Sequence, residues 1–249
     1  MNYGWLRDRL DPRDHHWELS LEERLTPLPA EWSLRDAMPP VYNQGQLGSC
    51  TANAIGACVE YQEMKEHQPA VTPSRLFIYW NERNLEGHVS TDSGAQIRDG
   101  MKVVSTFGAP PESDWPYDVT RFAVEPPAQA YVDARKHEAL YGRVTQSAHS
   151  FQASTFFRRP VVFGFAVFES FETIGADGVM PLPDPSREKL LGGHAVVIVG
   201  YRPINGQLYF EVRNSWGDGW GDQGYFWMPA VYAVSPQFCS DFWHIDFES

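Results

Sequence analysis

Gln44-Gly45-Gln46-Leu47-Gly48-Ser49-Cys50 leads a cysteine through a glycine-bearing turn onto the first turn of a helix. The helix follows from the residues beyond it: Cys50, Ala54, Ala57, Cys58 and Tyr61 recur at three- and four-residue intervals and so line one face. Ser49 is of a type that caps helix N-termini. At such an end the macrodipole and the unpaired backbone N–H groups favour negative charge, so the placement favours a thiolate. Taken alone, a cysteine in this setting is more often a buried core thiol than a nucleophile. The rest of the chain decides between the two.

Two distant stretches bear on that decision. Gly192-Gly193-His194-Ala195-Val196-Val197-Ile198-Val199-Gly200-Tyr201 sets a histidine at the entrance to an apolar strand, and Asn214-Ser215-Trp216-Gly217 sits just past the end of another. A nucleophile, its base and the group that orients the base are commonly far apart in sequence. One histidine before a strand is usually structural. Three such contexts in one chain are much harder to obtain by chance.

Around these motifs the chain divides into regions. Residues 1–40 are rich in charge and proline and show no helical or strand periodicity, which predicts an extended N-terminal arm. Residues 41–249 form the expected catalytic unit, mainly helical over about 41–116 and mainly β over about 117–249. Further helices are predicted at Ser74 to Asn84, with Pro73 at the start, and at Ala95 to Phe107, closing at Gly108. Val161–Phe168 and Ala195–Val199 read as strands covered on both faces, and Leu208, Phe210 and Val212 mark a half-buried strand. Asn205-Gly206 predicts a hairpin, and 224–228 a further strand. The fold class is therefore α+β with two lobes.

Composition narrows the function. With 249 residues, 43% apolar and 21% charged, the chain is neither disordered nor fibrous, and its longest dense apolar run falls far short of the ~18–20 residues of a membrane helix. A formal charge of -12 argues against non-specific binding to nucleic acid or to an anionic membrane. Three cysteines argue against a disulfide framework, and Cys50 and Cys58, ~12 Å apart along one helix, cannot pair. The histidines lack zinc-ligand spacing and there is no phosphate-binding glycine loop, so neither metal nor cofactor is expected. No secretory signal is visible, which makes the cytoplasm the default location, although export by another route leaves no such mark.

The sequence resembles the papain-like cysteine peptidases. That family has a glutamine six residues before its nucleophile, as Gln44 stands to Cys50, and its histidine and asparagine roughly 130–150 residues after it. Here the separations are 144 and 164, the second slightly long. Asn214-Ser215-Trp216-Gly217, Gly219-Trp220-Gly221 and Gly224-Tyr225 are similar to the family's glycine- and tryptophan-rich run, and Ser74-Arg75-Leu76, Asp92-Ser93-Gly94 and Trp115-Pro116-Tyr117 extend the likeness over about residues 40–228. The resemblance implies a two-lobe fold with a helical lobe, an antiparallel β-barrel-like lobe and a cleft between them. It implies hydrolysis of peptide bonds by Cys50 as a thiolate paired with the His194 imidazolium, through an acyl-enzyme thioester. Asn214 would orient His194, Trp216 would shield their bond, and Gln44 with the Cys50 backbone N–H would hold the oxyanion. Ser93, Gly94, Gly193 and Trp216 would line the substrate site, with β-type contact at Ser93-Gly94.

The chain departs from the family pattern in three places. It has Leu47 where the family has a second cysteine and Thr51 where it has an aromatic residue, so a disulfide anchoring the loop is absent. About forty residues precede Gln44 in place of a long helical pro-region, and they are expected to form either a structural belt or a short inhibitory segment in the cleft. Asp92 is read as a surface-loop carboxylate. The expected partner is a peptide or protein substrate, and the expected state a monomer. The competing functions are a catalytically idle peptide-binding module and a transglutaminase- or ligase-like acyl transfer.

Overall fold

The apolar runs at 161–168 and 195–199 pair with one another in the computed structural model of the protein, which describes residues 2–67, 71–134 and 139–247. Met1 and Ser249, the outer bounds of the expected arm and catalytic unit, lie outside the described residues. Both runs alternate between two cores, as strands covered on both faces must. Val162, Ala195, Val197 and Val199 face the helices. Val161, Phe163, Phe165, Val167, Val196 and Ile198 face a second, aromatic core.

The N-terminal arm carries short elements: β1 (Trp5–Leu6), α1 (Leu21–Leu25) and β2 (Trp32–Ser33), followed by a 3-10 turn at Arg35–Ala37. A two-residue strand has no period to display, so β1 and β2 are invisible to a pattern search. α1 did leave a signal, because Ser20 and Glu23 form a reciprocal capping box.

The helical lobe contains α2 (Cys50–Lys65), α3 (Arg75–Glu86), β3 (Ala95–Gln96) and α4 (Ile97–Phe107). α2 is not an amphipathic surface helix: Cys50 through Glu63 are all buried, so it runs through the centre of the molecule. Ser49 occupies the N-cap position but makes no side-chain cap. Its hydroxyl instead meets the Tyr117 phenol at 2.5 Å and accepts from Asn53 Nδ2 at 3.1 Å. Ser74 does cap α3, accepting from the Phe77 N–H. α4 begins at Ile97 and not at Ala95 as expected, because Ala95 and Gln96 pair in parallel with Trp5 and Leu6 of the arm.

The second lobe holds α5 (Ala128–Asp133), β4 (Ala139–Arg143), α6 (Ala148–Phe156), β5 (Val161–Phe168), β6 (Leu190–Ile204), β7 (Gln207–Arg213), β8 (Tyr225–Pro229), α7 (Ala230–Ala233) and β9 (Cys239–Phe247). The three helices, β4 and β9 are additions to the sequence reading. Among the described residues the large sheet runs β4-β9-β5-β6-β7-β8, with β2 pairing β6, and all of these pairings are antiparallel. Asn205 and Gly206 both have positive φ in the tight turn between β6 and β7, as the hairpin signal requires. Among the described residues no helix is long and apolar enough to cross a membrane, and all three cysteines are free and buried.

Candidate active site

α2 and β6 bring the distant motifs together. Cys50 is the first residue of α2, and its thiol lies within reach of the backbone N–H of Ala195, the residue that follows His194. His194 Nε2 lies 2.7 Å from Asn214 Oδ1. The same oxygen accepts the Ser215 N–H at 2.8 Å, which fixes the orientation of the amide. An accepting Oδ1 requires the proton on Nε2, leaving Nδ1 as the ring's unprotonated nitrogen. Nδ1 has no hydrogen-bond partner among the described residues. The Trp216 indole stacks on the imidazole, with ring centroids 5.0 Å apart.

Gln44 is fully buried, two hydrogen bonds aim its side-chain amide and a third anchors its backbone. Its Oε1 accepts from Ser215 Oγ at 2.6 Å, its backbone N–H reaches the Ser215 carbonyl at 2.9 Å, and its Nε2 donates to the Leu47 carbonyl at 2.9 Å. Nε2 also points at the Asn2 carbonyl of the arm, 3.4 Å away. The turn that follows needs Gly45, whose φ is +64°.

The arm threads the site. Tyr3 packs edge-on against His194 and beside Trp216 and donates its phenolic proton to Glu172 at 2.6 Å. Gly4 crosses Gly48 so closely that a Cβ on it would fall 1.8 Å from the Gly48 carbonyl oxygen, and its carbonyl accepts the Ala95 N–H at 2.8 Å. Trp5 lies over Gly164 and Gly193, where any added Cβ would strike its ring, and its indole N–H reaches Asp241 at 3.2 Å. Of the substrate-lining residues named from the sequence, Gly94, Gly193 and Trp216 therefore all touch the arm. Ser93 does not share the β-type contact: its hydroxyl turns to the Gly94 carbonyl, and Ala95 supplies the N–H.

Occupancy sets the protonation state. Cys50 and His194 are both 0% exposed. Burial pushes the Cys50 thiol up to about 11, against the pull of the Ala195 and Gly4 N–H groups, and pushes the His194 ring down to about 4 against its Asn214 bond. Both shifts favour the neutral thiol and the neutral imidazole, with desolvation the larger cause in each case, and so run against the thiolate expected at the helix terminus and the ion pair that the resemblance implies. Thr51 fills the position of the missing aromatic residue by donating to the buried Glu82 carboxyl at 2.8 Å.

Sequence reasoning missed the occupants and their anchors, Tyr3, Gly4, Trp5, Asp8, Glu172 and Asp241. The aromatic spacing of Tyr3 and Trp5 around a glycine was the available signal, an extended strand with both rings on one face.

A helical lobe packed on an antiparallel sheet, with Cys50 on α2 and His194 and Asn214 contributed from the sheet side, is the two-lobe architecture of a thiol peptidase. The family model described as papain family cysteine protease matches residues 27–237, and the chain belongs to that family and is a cysteine peptidase. Xylellain, a cysteine protease from Xylella fastidiosa, superposes with a TM-score of 0.89 at 39% identity over 100% of this chain and 97% of its own. A peptidase C1-like protein of Acanthamoeba polyphaga mimivirus is 42% identical over 82% of this chain and 68% of its own length. A cathepsin L-like proteinase of Phaedon cochleariae is 26% identical over 78% of this chain, which spans only 58% of that relative.

Proposed function

We propose that the protein hydrolyses peptide bonds through a Cys50-His194-Asn214 triad and a thioester intermediate, and that residues 2–8 inhibit it by occupying the cleft. The observation that carries the reading is the His194 ring itself, pinned at Nε2 by Asn214 with Nδ1 left without a hydrogen-bond partner, while the Cys50 thiol lies within reach of the N–H of the next residue, Ala195. Once the arm lifts, water and substrate reach the site and the desolvation that holds both groups neutral is relieved. The Cys50 proton passes to Nδ1 and the sulfur attacks the peptide carbonyl carbon. Gln44 Nε2, which now points at the Asn2 carbonyl, and the Cys50 N–H donate to the oxyanion, each such donor being worth about 3–4 kcal/mol. As the tetrahedral intermediate collapses, the C–N bond breaks, the amine leaves with the His194 proton, and the acyl group remains on sulfur. Water, deprotonated by His194, then attacks the thioester, releasing the acid and restoring the thiol.

The substrate is an extended peptide or protein segment lying along Ala95, where the Gly4 carbonyl now accepts an N–H, and the enzyme acts as a monomer. The test is hydrolysis of a fluorogenic peptide library by the full chain carrying Trp5→Ala, which loosens the arm. Turnover by that variant and none by the same chain with Cys50→Ala is the expected result. Peptide binding without turnover would leave an idle cleft, and amide products formed only with an added amine would make the enzyme a transferase.

A further inference from the structure

The glycine loop that delivers Cys50 lacks the cysteine that would cross-link it, since Leu47 stands there. A different device holds it. The Gly48 N–H donates to both carboxylate oxygens of Asp92, at 3.0 and 3.1 Å. The buried Tyr79 phenol of α3 donates to Asp92 Oδ1 at 2.5 Å and accepts the Gly94 N–H at 3.1 Å. One turn further along α3, the buried Arg83 guanidinium lies over the Tyr79 ring and donates to the carbonyls of Val89 and Thr91 at 2.9 and 3.0 Å, which fixes the loop that presents Asp92. Asp92 is thus no idle surface carboxylate, although it is exposed.

The consequence lies in a single peptide plane. Gly48 N–H and Leu47 C=O belong to the same rigid unit, and that carbonyl is the acceptor of Gln44 Nε2 at 2.9 Å. Asp92 grips one edge of the plane and Gln44 leans on the other, so a rotation that frees the Gly48 N–H also turns away the carbonyl that aims Gln44. Bonds from a carboxylate to backbone N–H groups are roughly twice as strong as neutral ones, enough to hold such a plane.

We propose that Asp92, supported by Tyr79, is a positioning residue for the oxyanion donors: through the Leu47–Gly48 peptide it sets the direction of Gln44 Nε2. The inference rests on the peptidase reading above. It also gives the arm a point of attack, because Asn2 Nδ2 donates to Asp92 Oδ2 at 3.0 Å when the arm is docked.

Two reactions of Cys50 separate this role from a general structural one. Alkylation by iodoacetamide needs the nucleophile but no oxyanion donor, whereas peptide hydrolysis needs both. A peptide aldehyde also needs both, since its carbonyl oxygen becomes the anion-like oxygen of the thiol adduct. All three need an open cleft, so the ratio of hydrolysis to alkylation cancels any change in how far the arm is displaced. In the full chain carrying Trp5→Ala, adding Asp92→Ala is expected to lower kcat/KM for a fluorogenic peptide by about 10- to 100-fold, a fraction of the loss seen when a donor is removed outright. Aldehyde affinity is expected to fall by the same factor, and the alkylation rate to change by less than about 2-fold. Asp92→Asn, which keeps an acceptor for Gly48, restores most of the loss. Hydrolysis and alkylation falling together, or neither falling, overturns the proposal. An inactive Trp5→Ala parent that still alkylates at Cys50 overturns the peptidase reading instead.

Discussion

The helix that bears the nucleophile and the arm that covers it are held by different forces. α2 is buried from Cys50 through Glu63 and presents Ile55, Ala57 and Cys58 to the helical core, so its position rests on packing. The arm adds charge to the packing of its Tyr3 and Trp5 rings. Asp8 and Asp14 meet Arg98 and Arg143, and Asp241 approaches the same Arg143. Asp8 also accepts the Trp243 indole N–H at 2.8 Å and the Arg98 backbone N–H at 3.1 Å, while its own N–H reaches Asp241 at 2.8 Å. Three carboxylates therefore share two guanidiniums, leaving one acid in excess inside the latch. Packing does not respond to solution conditions in the physiological range, whereas a surplus buried carboxylate does. On the function proposed above, α2 is then a frame fixed by packing and the arm a cover whose hold depends in part on pH.

The comparison is broken most strongly on the packed side. Ile55→Ala opens a cavity beside α2 and is expected to destabilise the fold by about 2–5 kcal/mol, read as a lower denaturation midpoint with an unchanged slope against denaturant. On the covering side, Trp5→Ala removes the ring seated on Gly164 and Gly193. It should leave the denaturation midpoint nearly unchanged yet raise iodoacetamide alkylation of Cys50 by about 10- to 100-fold, a shift of order 1.4–2.7 kcal/mol in the arm's equilibrium. Equal effects of the two variants on global stability would erase the distinction.

Acidity sharpens the contrast. Burial first and the Asp241 charge second raise Asp8 to about 7, against the pull of the Arg98 N–H, Trp243 and Arg143, whereas a free carboxylate titrates near ~3.9. The docked arm thus binds a proton that the free arm gives up. That contribution to docking is complete below pH ~4 and is lost as the pH rises through about 7. Hydrogen exchange at the Ala95 amide, which docking ties to the Gly4 carbonyl, should therefore lose protection between pH 5 and 8 beyond the intrinsic pH dependence. Asp8→Asn, neutral at every pH, should flatten that loss. The smallest effect is spectroscopic: with the native arm docked, the His194 ring should stay neutral down to about pH 4, and in Trp5→Ala its titration by NMR should move upward as the ring is rehydrated.

Much of the catalytic grouping was legible in the sequence because each member sits in a local pattern with a physical cause. Cys50 follows a glycine turn into a helix and Asn214 follows a strand, while His194, expected at the entrance to a strand, lies inside β6, which starts at Leu190 because 190–194 also pair with β5. The Asn205-Gly206 turn and the strand beyond it were legible for the same reason, but that strand is not half-buried: Glu211 and Arg213 are buried, because Ser33 and the Pro39 and Pro40 carbonyls from before α2 cover them. β4, β9 and α6 were not legible, since their residues are fixed by neighbours remote in sequence, as when Gly142 pairs with His244. Ser49 misled in the same way: its residue type suits a cap, but Tyr117 and Asn53 take its hydroxyl. Asp92 is exposed on a loop, as read from the sequence, but its hydrogen bonds were not legible because its partners Gly48, Tyr79 and Asn2 come from three separate stretches.

The amino-acid order by itself determined the chemistry this chain carries and the order of its main helices and strands, because turn residues, helix ends and apolar periodicity act over a few neighbouring positions. Only the tertiary structure decided where residues 2–8 lie and that Cys50 and His194 are buried, which favours the neutral form of each. Burial is a property of everything packed around a group, and for these two residues the final layer arrives from a segment some 46 and 190 positions away.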